Sequence, residues 1–350
     1  MQVRYFNYSF LEQGMLPAGL VNIIGAIADL RAREAERRDN YPDVFTRLES
    51  IAKVQSVRGS NAIEGIVTSE ARINQIVIQN AAPLNHDEAE IAGYSAALNL
   101  IHTGFETLDI RQRDILRLHE MMLSFTLKGG GAYKDSDNVI MEIRPDDRRS
   151  IRFAPTPADE TAETMEQLTL AYQEARDNSA INRLLLIPCF ILDFLCIHPF
   201  SDGNGRMSRL LSLLLLYKNG FDAGKYISFE AQINNTKALY YQALKDSSEN
   251  WRSAANDYFP FMGNFLVTLL KCYKELDTHF AAARNGKVSK RQRIETSVMN
   301  SLLPISKREI CYILPDVSPT TVEKVLGDML RSGAIEKIGT ARSTKYAVKR

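Results

Sequence analysis

Two strongly apolar stretches enclose one dense polar loop, and this restricts the fold more than any other feature of the 350 residues. Leu184–Ile197 is apolar except for Asp193, and Arg206–Lys218 is a second apolar segment that stops before Gly220. The first is too short to span a bilayer and reads as a buried helix, with Pro188 expected to kink it. Between them runs His198-Pro-Phe-Ser-Asp-Gly-Asn-Gly-Arg-Met-Ser-Arg209. Polar groups pressed between buried helices are costly unless they have partners, so this loop is expected to hold something.

The residue types say what. Gly203 and Gly205 let the backbone turn its amides toward an anion. A helix beginning near Asn204–Arg206 points its free N–H groups at the same place. Arg206 and Arg209 are three apart on the first turn and share a face, which suits a phosphate clamp. Asp202 among such groups suits a hard cation such as Mg²⁺ bridging phosphates. His198 accepts a proton near neutral pH. Together these groups imply transfer of a phosphate-containing group.

Helical spacing dominates the rest of the chain. Helices are expected at Leu16–Leu30 with the charged run Arg31–Arg38 continuing it, at Val44–Val57 with Asp43 as N-cap, and as a short turn at Asn61–Glu64. Others are expected at Thr68–Gln79, His86–His102, Ile110–Leu123 with Asp109 as N-cap, Thr161–Asp177, Thr236–Ser247 and Asp257–Ala283. Two short apolar runs, Val139–Ile143 and Ile151–Phe153, flank polar turn residues and predict a β-hairpin. A hairpin alone cannot bury both faces, so its edge is expected to be used. After a linker at Asn285–Gly286, the pattern is three helices and a hairpin, which resembles a winged helix-turn-helix.

Charge is uneven. Residues 286–350 carry 13 Lys and Arg against six Asp and Glu, a net +7, leaving −6 on the rest of a chain whose total is +1. This excludes a uniformly basic nucleic-acid coat but not a local patch. The four cysteines (Cys189, Cys196, Cys272 and Cys311) form no C-x-x-C pair, and the expectation is reduced thiols. The opening MQVRYFNYSF lacks the long apolar run of a signal peptide, so a cytoplasmic location is expected.

The His198–Arg209 segment resembles the signature of the Fic family, H-P-F-x-[D/E]-G-N-G-R-x-x-R, with every fixed position filled. The resemblance implies an all-α fold: a Fic helical core with a small hairpin flap, followed here by the winged helix. The chain is expected to divide into an N-terminal helical region at 1–105 with the inhibitory motif, a Fic catalytic domain at 106–284 and a winged helix at 285–350. The resemblance implies an enzyme that transfers AMP from Mg-ATP to a Tyr, Ser or Thr hydroxyl of a protein, with His198 as base and Asp202 on the metal. It implies ATP contacts along Gly203, Asn204, Gly205, Arg206, Met207, Ser208 and Arg209, and at Tyr240 and Tyr241 against the nucleoside. Doc-like kinases of the superfamily carry Ala and Lys at the positions of Gly203 and Gly205, so both glycines favour nucleotidyl transfer. The hairpin at Val139, Ile140, Met141 and Glu142 resembles the family's flap, where a target peptide pairs as an extra strand.

Ser60-Asn-Ala-Ile-Glu-Gly65 matches the inhibitory motif [S/T]-x-x-x-E-[G/N] of Fic proteins, with Ser60 and Glu64 one helical turn apart. The resemblance implies that Glu64 pairs with Arg209 and keeps it from the γ-phosphate. The expected partners are ATP, a protein target, the chain itself as a target, a second copy in a homodimer, and DNA through the C-terminal residues, with no membrane. For DNA, the charges Glu323, Lys324, Asp328 and Arg331 of Ser318–Arg331 cancel, while Lys337, Arg342 and Lys345 make the wing more basic. Two alternatives stand beside the transferase: a DNA-binding regulator whose Fic body senses nucleotide, and removal of AMP by the same site.

Overall fold

The computed structural model describes residues 4–143, 149–284, 289–299, 301, 304–314, 317–339 and 344–349. Among them the chain is mainly helical with two small hairpins. In order come α1 (Phe10–Gln13), α2 (Ala18–Asn40), α3 (Pro42–Ile63), α4 (Glu70–Gln79), α5 (His86–Gly104) and α6 (Gln112–Leu123). The hairpin β1 (Ile140–Ile143) and β2 (Arg149–Phe153) leads to α7 (Ala158–Asp177), α8 (Arg183–Ile197) and α9 (Asn204–Lys218). Then follow α10 (Phe229–Asn235), α11 (Lys237–Ser248) and α12 (Phe259–Arg284). The last elements are α13 (Lys290–Met299), α14 (Lys307–Ile313), α15 (Pro319–Arg331), β3 (Ile335–Ile338) and β4 (Lys345–Val348).

Contacts divide the chain into two compact units, 1–29 with 52–272, and 30–51 with 273–350, so the boundaries fall inside α2, α3 and α12. The expected boundaries at 105 and 284 are not where the contacts divide. In the first unit α8 is buried from Leu184 to Ile197, continuing past Pro188, and Leu210–Tyr217 of α9 are buried as well. The two pack together, with α5 against α6 and α9 and α7 against α8. Their apolar side chains carry the stability of this unit.

Three helix boundaries differ from expectation. α3 is one continuous helix, not two, and it starts at Pro42, since Pro at a first helical position needs no N–H partner. Asp43 is therefore inside it and not its cap. α6 starts at Gln112 after Arg111. Asp109 instead accepts the Ile110 N–H at 2.9 Å and pairs with Arg176 at 3.0 Å.

The second unit has its own apolar centre, including Ile294, Val298, Ile310, Val322, Leu326 and Ile335. Ser306 and Glu309 form a capping box on α14, and Ser318 caps α15. β3 and β4 pair antiparallel, Ile335 facing Val348 and Ile338 facing Lys345. Phe45 stacks on Phe280 with centroids 5.1 Å apart, and Arg37 pairs with Asp277 at 2.8 Å. Cys189, Cys196 and Cys272 are buried, and all four cysteines are free thiols. Among the described residues no helix is long and apolar enough to cross a membrane.

Candidate active site

The polar loop joins the C-terminus of α8 to the N-terminus of α9. His198 closes α8 in the left-handed conformation, φ 52°. Its N–H continues the helix to the Phe194 carbonyl at 3.0 Å. The ring Nδ1 lies 3.3 Å from the Leu195 carbonyl. A carbonyl only accepts, so Nδ1 carries the ring proton and Nε2 keeps its lone pair. Burial, partly offset by that carbonyl, lowers the His198 pKa to about 4, so the imidazole is neutral at pH 7.

The turn is held from several sides. Both polar atoms of the buried Asn204 side chain are used on Phe200: Oδ1 accepts its N–H at 2.9 Å and Nδ2 donates to its carbonyl at 2.6 Å. That side chain braces the loop, and only the backbone of Asn204 faces an incoming group. Lys134 straps the same loop, donating its N–H to the Pro199 carbonyl at 2.9 Å and its ammonium to the Ile197 carbonyl at 3.3 Å. Gly203 sits at φ +80°, and a Cβ there would lie 2.5 Å from Met122 Cε. Gly205 is closed on its outer side by Glu64, whose Oε1 would be 2.4 Å from a Cβ. A side chain at either position would have to displace the end of Met122 or Glu64, and at Gly203 the left-handed backbone itself favours glycine.

The two arginines do not act as a pair. Arg209 is buried, donating Nε to Ser60 Oγ at 2.8 Å, and Nη2 to the Ser60 carbonyl at 3.0 Å and to Glu64 Oε1 at 2.8 Å. Arg206, also buried, forms an ion pair with Glu90 of α5 and lies 3.6 Å from Asp202. Glu90 in turn meets His86 Nε2 at 2.8 Å. The Met207 side chain is wholly buried, facing the core from the first turn of α9. Ser208 is buried too, its hydroxyl donating to the Gly205 carbonyl at 2.7 Å.

Asp202 Oδ1 accepts the Gly203 N–H at 2.7 Å, and Oδ2 meets the Lys128 ammonium at 2.8 Å. Burial pushes this carboxyl up, but Lys128 and Arg206 outweigh it and hold it below the usual carboxylate range. An ammonium already stands at the outer oxygen, so the donor fits a hard cation. Among the described residues no group of three or more His, Cys, Asp or Glu could hold a metal alone. One carboxylate suits Mg²⁺ that arrives with substrate phosphates and completes its shell with them and water.

A cavity of about 190 Å³ opens beside His198. His198, Gly205, Arg209 and Glu64 line one side, and Tyr240 and Tyr241 another, edge to face at 5.4 Å. The flap closes it with Ile140, Arg152 and Phe153. Ile140 pairs with Phe153 and Met141 with Ile151, with an irregular register between the two pairs. Val139, Met141 and Ile151 remain exposed on the hairpin. The Glu142 side chain lies outside the described residues.

A sequence model of the Fic/DOC family matches residues 109–216. A Fido domain-containing protein of Dictyostelium discoideum is 31% identical over 111 residues, covering 30% of this chain and 77% of that protein. This chain belongs to the Fic/Doc family. A protein named protein adenylyltransferase Fic, from Nematostella vectensis, is 25% identical over 181 residues, 49% of this chain but only 39% of that longer protein. The fold agrees with a Fic family protein from Desulfovibrio desulfuricans, at TM-score 0.61 and 21% identity, over 96% of this chain and 97% of that one. It agrees also with Fic-1 of C. elegans, at TM-score 0.58 and 18% identity, over 75% and 73% of the two chains.

Sequence reasoning did not find Glu90, His119, Lys128, Lys134 or Arg152. Each is a lone polar residue far from the Fic signature, and only the fold brings it there.

Proposed function

We propose that this Fic protein is a protein adenylyltransferase that moves AMP from Mg-ATP to a Tyr, Ser or Thr hydroxyl of a target protein and is restrained by Glu64. One observation carries this reading: His198, the N-terminal turn of α9 and Arg209 all open onto the cavity lined by Tyr240 and Tyr241. A base, an anion cradle and an aromatic wall at one opening suit a nucleotide whose α-phosphate lies beside the imidazole.

His198 Nε2 takes the proton of the incoming hydroxyl, and the hydroxyl oxygen bonds to the α-phosphorus. The bond to the bridging oxygen breaks and pyrophosphate leaves. The amides of Gly203–Gly205 at the N-terminus of α9 face the phosphate oxygens and stabilise their charge. Arg209, once Glu64 has left it, takes the γ-phosphate. Mg²⁺ on Asp202 would neutralise phosphate charge. The exposed flap edge offers backbone pairing to an extended target segment, which places its hydroxyl without reading much sequence.

The test is transfer from ATP labelled at the α-phosphate into protein. Label is expected with Glu64→Gly, less with wild type and none with His198→Ala. Label only from γ-labelled ATP, or label that persists in His198→Ala, refutes the reading. Release of AMP from a premodified target in place of transfer identifies hydrolytic removal of AMP by the same site. For the DNA-binding regulator, α15 offers little free charge: Glu323 pairs with Lys307, and Asp328 with Arg291 and Arg331. Arg342 lies outside the described residues.

A further inference from the structure

The proposed chemistry leaves Lys128 without a task, although its ammonium stands 2.8 Å from Asp202 Oδ2. One imidazole ties together the two backbones that carry this pair. His119 Nδ1 accepts the N–H of Gly131, three residues beyond Lys128, at 3.1 Å. Its Nε2 donates to the Asp202 carbonyl, also at 3.1 Å, and its ring stacks on Phe200 with centroids 3.7 Å apart. Gly130 presses on the end of α6, where a Cβ would lie 2.7 Å from the His119 carbonyl. The backbone around Lys128 is therefore fixed relative to Asp202. The lysine side chain is not, being 57% exposed on a four-carbon stem.

From this geometry we infer that Lys128 is a tethered counter-cation of Asp202, which holds the metal-binding carboxylate ready and must be exchanged when a divalent cation arrives with nucleotide. The inference rests on the reading of Asp202 as the metal ligand. With Lys128 on Oδ2 and Arg206 near Oδ1, the carboxylate is already compensated and attracts a free cation weakly. Lys128 thereby sets how much metal the site requires. Arg206 stays in place, because Glu90 holds it in the interior.

The test uses the full chain carrying Glu64→Gly and His198→Ala, which binds ATP without turnover. ATP binding is measured by calorimetry across a magnesium titration, and bound Mn²⁺ is counted by electron paramagnetic resonance. Adding Lys128→Met should lower the metal concentration for half-maximal ATP binding by about two- to fivefold, the scale of one partly exposed ion pair. ATP affinity at saturating metal should change by less than about twofold on the same scale. A metal-dependent parent in which Lys128→Met leaves the half-saturation unchanged overturns the inference alone. So does a tenfold or greater loss of ATP affinity at saturating metal, which would make Lys128 a phosphate ligand. A parent whose ATP binding ignores metal, and which Asp202→Ala does not alter, overturns the metal reading of Asp202 and the inference with it.

Discussion

Glu64→Gly tests the proposed restraint on nucleotide directly. In the folded chain Glu64 Oε1 accepts from Arg209 at 2.8 Å, and it covers the outer side of Gly205 where an anion would meet the first amides of α9. A phosphate must displace this carboxylate before it reaches either group. A charge-assisted hydrogen bond of this kind is worth about 1.5–3 kcal/mol. At about 1.4 kcal/mol per factor of ten, its removal should tighten ATP binding roughly 10- to 150-fold. The same change leaves a buried guanidinium short of one partner. Arg209 keeps both Ser60 contacts, so the loss of stability should be about 1–3 kcal/mol, less than for a buried charge left alone. Calorimetry with ATP reads the first effect and denaturant unfolding the second. ATP affinity that stays within twofold of wild type, in a variant whose unfolding midpoint falls as expected, would refute the reasoning: Glu64 would then support the fold without blocking the phosphate site.

Three further outcomes follow from the loop. Buried neutral, His198 and His119 have pKa values lowered from 6.5 to about 4, so the unfolded chain binds their protons first. Stability should fall as pH drops from about 6.5 toward 4 and this contribution level off below, by roughly 3 kcal/mol per histidine at most; unfolding curves of His119→Gln, flatter across that window, would check it. Gly203→Ala should cost at least about 1–3 kcal/mol in a melt, because it meets a left-handed backbone and the Met122 methyl at once. Gly205→Ala should push Glu64 aside yet fill the anion cradle, so ATP binding by Glu64→Gly, Gly205→Ala should be at least tenfold weaker than by Glu64→Gly alone, a loss of about 1.4 kcal/mol or more; equal affinities would remove Gly205 from the phosphate site.

The sequence disclosed the site unevenly, for physical reasons. Helices α8 and α9 and the loop between them were legible because apolar runs and a glycine-rich turn are local properties. Ser60 and Glu64 could be paired with Arg209 only through the family resemblance, since 145 residues separate the two charges and no periodicity reports such a distance. Met207 illustrates the opposite failure. It lies inside the signature, yet the first turn of α9 directs it into the core, and position within a motif does not reveal that direction. Asn204 was expected to cradle phosphate, but its amide matches the backbone of Phe200 at both ends, which a linear pattern cannot show. The sequence pattern places a helix at Val44–Val57 and a separate turn at Asn61–Glu64, whereas the buried face of α3 runs unbroken through Val54, Val57, Ser60, Asn61 and Ile63.

Three ion pairs at the site differ in how readily one partner can leave, and under the proposed function that difference sets which signature residue is available to substrate. Lys128 meets Asp202, Glu64 meets Arg209, and Glu90 meets Arg206. The Glu64 side chain is 33% exposed and that of Lys128 57%, so water can receive either when it leaves. Glu90 is 6% exposed, and moving it off Arg206 would strand a buried charge on each side. The two arginines, equivalent in the sequence pattern, are therefore unequal in the fold. Arg209 is held by a partner that can depart and is the one free to meet phosphate. Arg206 is fixed by a partner that cannot, and it stands beside the Asp202 carboxylate. Removing Glu90 should accordingly cost stability first, whereas removing Glu64 should raise activity first.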